Sequence, residues 1–285
     1  MSPVLAIIRH QFSESMRRRV VLVVGALTVA FLALYALGAH FAFRDVRDFA
    51  GFDPTILDPH AFVGATIFGL AMFGTLFLGA VLAAFLTIGV VRGDAETGLL
   101  QPLVVRPVGR GAMLAARFAG AALAASAYVM SVYAIAVVIT WLAGDWTPDH
   151  LLLPALALGM GVTIIAAISV LASTVMTSTA QGITVFMVFG AGLTAGLLGQ
   201  IGRAIGSDRL SSISDATTWA LPFEALYQGG LHSLISETSG LARTVIELGP
   251  FGGSEPAGPG LVLWSVAYAA LVVGIAIYAF SRRDL

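Results

Sequence analysis

The sequence predicts an all-α polytopic membrane helix bundle: six transmembrane helices, an N-terminal amphipathic interfacial helix, and short extracellular helices between spans five and six. Three observations carry that prediction. The 285 residues are 58% hydrophobic and only 11% charged, whereas soluble domains are roughly 25% charged. Mean hydropathy is +0.92, and the apolar residues gather into six runs long enough to cross a hydrocarbon core. The charges between those runs divide by sign on alternate connections.

Residues 1–19 form the first element. Val4, Leu5, Ile8, Phe12 and Met16 recur at steps of three and four, with Arg9, Gln11, Ser13 and Glu14 largely on other faces. Arg17, Arg18 and Arg19 then run straight into an apolar stretch, so this helix is expected to lie on the membrane. Residues 20–43 exceed the roughly 7–15 residues of a signal-peptide core, and Ala36-Leu37-Gly38 is a weak cleavage pattern, so they are read as a retained first span. Residues 61–91 carry no ionisable group. As a straight helix they would extend about 46 Å, so this span must tilt or project beyond a core of roughly 30 Å. The third and fourth runs, residues 111–142 and 151–175, flank a polar turn holding Trp146, which is expected at the interface. Only residues 176–179 precede the fifth run, about 180–201, which predicts a tight hairpin. The sixth run is 261–280, closed by Ser281-Arg282-Arg283-Asp284-Leu285.

Counting charge by side orients the bundle. The segments on the N-terminal side hold ten arginines and four carboxylates, a net +6, and the opposite side holds five and twelve, a net −7. Positive-inside bias then makes both termini cytoplasmic and the number of spans even. On the opposite side lies the long segment 202–260. Phe223, Leu226, Tyr227, Leu231, Leu234 and Ile235 recur there at helical steps, and Leu241, Val245 and Leu248 suggest a second short helix. Such helices are expected half-embedded at the outer surface. Residues 250–260, rich in Gly and Pro, read as a linker before the last span.

Several chemistries are excluded. There is no Cys, hence no disulfide and no thiolate ligand or nucleophile. All fifteen basic residues are arginine, so the chain holds neither a GxxxxGK[ST] phosphate loop nor a Schiff-base lysine. No catalytic motif or paired carboxylate stands out, and no basic stripe suits nucleic acid. Asp53, Asp58, His60, Asp149, His150 and His232 share the outer side, but His beside Asp in a loop is usually solvated, so no metal is assigned. Met130, Met160, Met176 and Met187 fall at irregular spacing and read as packing residues rather than soft copper ligands. Ser126, Ser131, Tyr128, Tyr133, Thr163 and Ser169 either line a path or bond helix to helix. Gly64, Gly69, Gly74 and Gly79 line no single face, whereas Gly192-xxx-Gly196 allows close helix approach. Within the six runs the only ionisable side chains are His40 and Arg117, both near an end. Ion-driven carriers place such groups near the midplane, so the energy source is expected in another chain.

The most informative connection is residues 92–110. Asp94 and Glu96 suit the start of a short helix, Leu99, Leu100 and Leu103 would share one face, and Pro107 forces a turn before Arg110. An exposed amphipathic element with charged ends fits docking to a soluble partner. The plainer alternative is an interfacial loop whose arginines neutralise lipid phosphates.

This stretch resembles the coupling segment of type-2 ATP-binding cassette (ABC) exporter permeases: acidic, x, acidic, Gly-Thr-Leu, then Leu-Leu, then Pro-Val-Ser-Arg. Here it stands as Asp94-x-Glu96-Thr97-Gly98-Leu99-Leu100 and Arg106-Pro107-Val108-Gly109-Arg110. Thr97-Gly98 inverts the usual order, and Gly109 replaces the serine. The resemblance extends to the N-terminal helix, the six-span plan, the helices before span six and the Phe280-Ser281-Arg282-Arg283-Asp284 end. It implies one permease domain over residues 1–285, in a bacterial plasma membrane, with 94–105 as the coupling helix. Asp94, Glu96, Thr97, Gly98, Leu99, Leu100, Leu103, Arg106, Pro107 and Arg110 would serve ATPase coupling. The partners implied are an ABC ATPase subunit, a second permease copy of the same or another chain, and lipids. ATP and Mg would be bound by the ATPase, with no cofactor in this chain. The apolar spans suit an amphipathic or lipid-like cargo moving outward. The rival is a non-transporting scaffold or assembly factor, including one for copper-enzyme maturation, docking through the same segment.

Overall fold

The computed structural model describes residues 19–48, 59–88, 110–234 and 256–282, and among them there is no strand. Eight helices follow one another: α1 Arg19–Asp48, α2 Pro59–Thr87, α3 Arg110–Gly144, α4 Leu152–Val175, α5 Ser178–Ile205, α6 Asp208–Ala220, α7 Pro222–Leu234 and α8 Pro259–Ser281. All but α6 and α7 are long and apolar enough to cross a membrane, giving the six spans that the sequence predicts. The proposed interfacial helix, most of the coupling segment and the second short helix near 241–248 lie outside the described residues.

At the centre stands α2. Of its most apolar stretch 72% is buried in the bundle, against 22% for α1 and 28% for α8. A helix enclosed on every side needs no polar face, which is why residues 61–91 carry no ionisable group. Its glycines show the enclosure directly, because a Cβ at each would strike a different neighbour: the Trp146 ring at Gly64, Phe31 of α1 at Gly74, and Val129 and Val162 of α3 and α4 at Gly79. At Gly69 the added Cβ would touch Leu231 of α7 at 3.6 Å.

Polar pairs tie the outer helices to this centre. Thr28 and Tyr128 share a hydrogen bond of 2.5 Å between α1 and α3, and farther along the same pair Tyr35 bonds Thr140. Between α3 and α4, Ser126 Oγ donates to the Gly159 carbonyl at 3.0 Å. Hydroxyls at a helix interface within an apolar medium gain by finding one another.

The turn between α3 and α4 is short, as its sequence predicts. Asp145 takes a left-handed φ of 53°, a conformation that Asp tolerates better than most residues. The turn folds Trp146 inward over Gly64, its ring 6.0 Å from Phe68. Trp146 is thus half-buried against α2, at the level where α3 and α4 turn. The next connection is as tight as predicted, with only Met176 and Thr177 between α4 and α5.

Past α5 the chain turns back into the bundle. Gly206 adopts a left-handed φ of 69° and the Ser207 N–H caps the Gly202 carbonyl at 2.7 Å, reversing direction into α6. α6 descends along α5, with Leu210 against Gly202 and Ser214 against Gly199. α7 then climbs back until the Asp149 N–H donates to the Leu234 carbonyl at 3.4 Å. The tip of this hairpin is deep. Phe223 packs against Gly161 and Gly192, near the midpoints of α4 and α5, and stacks on Phe189 at 5.7 Å. The amphipathic pattern predicted helices half-embedded at the surface, and α7 instead buries most of its length. It can do so because its polar side chains are met inside: Gln228 bonds Glu224, and Ser233 donates to the Gly230 carbonyl at 2.7 Å.

The helix order places like ends together. Val24 of α1 packs with Val81 and Leu82 near the end of α2, Gln181 of α5 with Ser169 of α4, and Phe280 of α8 with Met113 near the start of α3. One end of the bundle therefore carries the start of α1, the end of α2, the start of α3, the α4–α5 turn and the end of α8. The other carries residues 145–151 and the α6–α7 hairpin.

Candidate functional site

At the arginine-rich end, α2 stops at Thr87 and α3 begins at Arg110. These helices run antiparallel side by side, as Gly79 against Val129 and Phe68 against Tyr133 require. The chain therefore leaves α2 and enters α3 at one place. Of the predicted coupling residues, Arg110 is the first of α3, whereas Asp94, Glu96, Thr97, Gly98, Leu99, Leu100, Leu103, Arg106 and Pro107 lie outside the described residues.

Directly beneath this exit is a buried polar knot. Thr87 Oγ1 donates to Ser169 Oγ at 2.6 Å, and Gln181 Nε2 reaches Ser169 Oγ at 3.0 Å and the Ser169 carbonyl at 3.1 Å. All three side chains are at most 1% exposed. The knot joins the last turn of α2 to α4 and to the first turn of α5. Sequence reading singled out Ser169 but passed over Thr87 and Gln181. The available signal was Gln181 itself, an amide at the start of an apolar run, which in a membrane seeks a partner.

Halfway along the bundle is a second site that the sequence reading missed. Glu224 is 6% exposed and Gln228 5%, and a Cβ added to Gly196 of α5 would collide with the Glu224 carboxylate. Counted by sequence, Glu224 belongs to a polar outer segment, and the spans hold no Asp, Glu, Arg or His near their middle. Folded, the hairpin delivers a carboxyl to that depth. Beside it Tyr227 is buried, and its hydroxyl meets no hydrogen-bond partner among the described residues. Burial, with the Glu224 charge adding to it, pushes the Tyr227 phenol far up, so it stays neutral at physiological pH. The glycines Gly192, Gly196, Gly199 and Gly202 are the seat for Phe223, Glu224, Ser214 and Leu210. The close approach that Gly192-xxx-Gly196 predicts is made by a re-entrant hairpin rather than by another span.

The family model for the ABC-2 family transporter proteins matches residues 5–285. The chain belongs to that family. A search of curated proteins returns no match. An ABC-2 transporter chain is the membrane permease component of an ABC transporter and works with an ABC ATPase. In this permease the polar knot at the end of α2 and the Glu224 site at mid-depth are two places where polar side chains are buried in the bundle.

A third feature of this ABC-2 chain is a cavity of about 650 Å³ between α3, α4, α7 and α8. Met130 and Met160 line it, as do His150 and His232 at its outer rim. Met176 instead receives the Thr184 hydroxyl at 3.3 Å, and Met187 is 70% exposed on α5. Among the described residues no group of three His, Asp or Glu converges on a metal position. His60 lies apart, stacked on Phe43 at 6.0 Å. Tyr128 and Ser169 of the candidate path residues bond helix to helix, and Ser126 and Thr163 both do so and line the cavity.

Proposed function

We propose that the chain is the permease subunit of an ATP-driven ABC exporter, with both termini cytoplasmic and residues 94–105 forming the coupling helix that docks on a separate ATPase. Two permease copies and two ATPase subunits complete the transporter. The observation that carries this reading is the origin of residues 89–109: they spring from the last turn of the central helix α2, above a polar knot that also holds α4 and α5. A load applied there reaches three spans at once. The arginine excess at this end, net +6, agrees with a cytoplasmic position.

Cargo moves outward and is amphipathic or lipid-like, a reading motivated by spans almost free of charge. Glu96→Arg tests the coupling assignment. The variant chain should still assemble with its ATPase, ATP hydrolysis should continue, and export should fall by about tenfold or more, as expected when a charge in a docking contact is reversed. Export at the unaltered rate would remove residues 94–105 from the mechanism. Stimulation of ATP hydrolysis by amphipathic compounds in liposomes tests the cargo class, and a panel without effect would overturn it.

A further inference from the structure

We propose that the cavity between α3, α4, α7 and α8 is a seat for one acyl chain of a membrane phospholipid, with its phosphate headgroup at the His150 and His232 rim. The cavity is about 650 Å³, within the range of about 300–1,000 Å³ that encloses small ligands. Its outward wall consists of Leu153 and Leu156 of α4 and Val262 and Val266 of α8, each 47% exposed or more. These side chains belong to the faces of two spans that meet hydrocarbon, so the occupant enters sideways from the bilayer.

Polarity along the cavity runs as it does along a lipid. At the deep end, Ser126 and Thr163 both donate to the Gly159 carbonyl, at 3.0 and 2.9 Å, and lie 3.0 Å from each other. With both O–H groups committed to that carbonyl, that end has no hydroxyl proton to offer a polar ligand and suits a hydrocarbon tail. An apolar recess of this kind does not hold ordered water well. At the opposite end, His150 precedes α4 and His232 sits near the last turn of α7, so imidazole N–H groups gather at the level where spans emerge. Length agrees as well. Leu153 to Thr163 is about 15 Å of helix, half of a hydrocarbon core of roughly 30 Å, hence one leaflet. The seat calls for no transport step and stands whether or not the chain exports a cargo.

The test is native mass spectrometry of the delipidated full chain titrated with phosphatidylglycerol. Wild type should retain one phosphatidylglycerol per chain under activation that strips peripheral lipid. Val266→Trp and Leu153→Trp fill the space from two different helices at exposed positions, and each should lower retention by about tenfold, because side-chain bulk replaces ligand volume. Leu263→Trp, 73% exposed on α8 and outside the cavity, should retain lipid like wild type. His150→Ala should weaken retention of phosphatidylglycerol while leaving the melting temperature of the chain unchanged. Equal retention by wild type and both cavity-filling variants would overturn the proposal, as would a wild-type chain that retains none. Either result would leave the Glu96→Arg outcome, and so the exporter reading, untouched.

Discussion

At Gly196 the hydrogen in place of a side chain decides whether α7 can seat, because a Cβ there would occupy the space of the Glu224 carboxylate. Gly196→Leu should therefore lower stability by more than the roughly 1–3 kcal/mol usual for overpacking, since the displaced group is a buried carboxyl. A melting curve followed by tryptophan fluorescence measures this. Glu224→Gln keeps the shape and leaves Gln228 a carbonyl to bond. It should cost under about 1 kcal/mol in the same melt, and any loss of export would then belong to the charge. Tyr227 makes the opposite case. Its buried hydroxyl has no hydrogen-bond partner among the described residues, so Tyr227→Phe should leave the melting temperature unchanged or raise it, by up to about 1 kcal/mol of stability. A clear drop would show that the phenol is bonded in the functioning protein.

Among the elements, the spans and the helical pattern of α7 were readable and the depth of the hairpin was not, for one physical reason. A span announces itself by length and apolarity, and residues 151–175 and 261–280 match α4 and α8 to within a residue or two. Those properties are local. The depth of α7 depends on the glycine seats of α5 and on the pairing of Glu224 with Gln228, contacts between segments far apart in sequence. The same limit hid the polar knot, where Thr87, Ser169 and Gln181 come from three different helices. The coupling residues from Asp94 to Pro107, by contrast, were read from local pattern and resemblance alone. If the knot transmits load from that segment, Gln181→Leu should leave the chain folded, remove two hydrogen bonds at a cost of about 1–3 kcal/mol, and raise ATP hydrolysis per molecule exported. Paired ATPase and flux measurements on one liposome preparation decide it. An unchanged ratio would make the knot a packing device only.

For the whole molecule the decisive quantity is which end faces the cytoplasm. The structure collects the start of α1, both ends flanking residues 89–109, the α4–α5 turn and the end of α8 at one pole. The orientation proposed above, which rests on the sequence division of ten arginines and four carboxylates against five and twelve, would turn that pole to the cytoplasm. Because the chain has no cysteine, a single introduced thiol reports its own position without background. Thr147→Cys, in the exposed turn between α3 and α4, should react with a membrane-impermeant maleimide in intact cells. Thr177→Cys, exposed at the α4–α5 turn, should react only after permeabilisation. The reverse pattern would invert the bundle and set residues 94–105 on the side without ATP, which no ATP-coupled permease tolerates. Orientation and coupling therefore stand or fall together, and two thiols suffice to separate the outcomes.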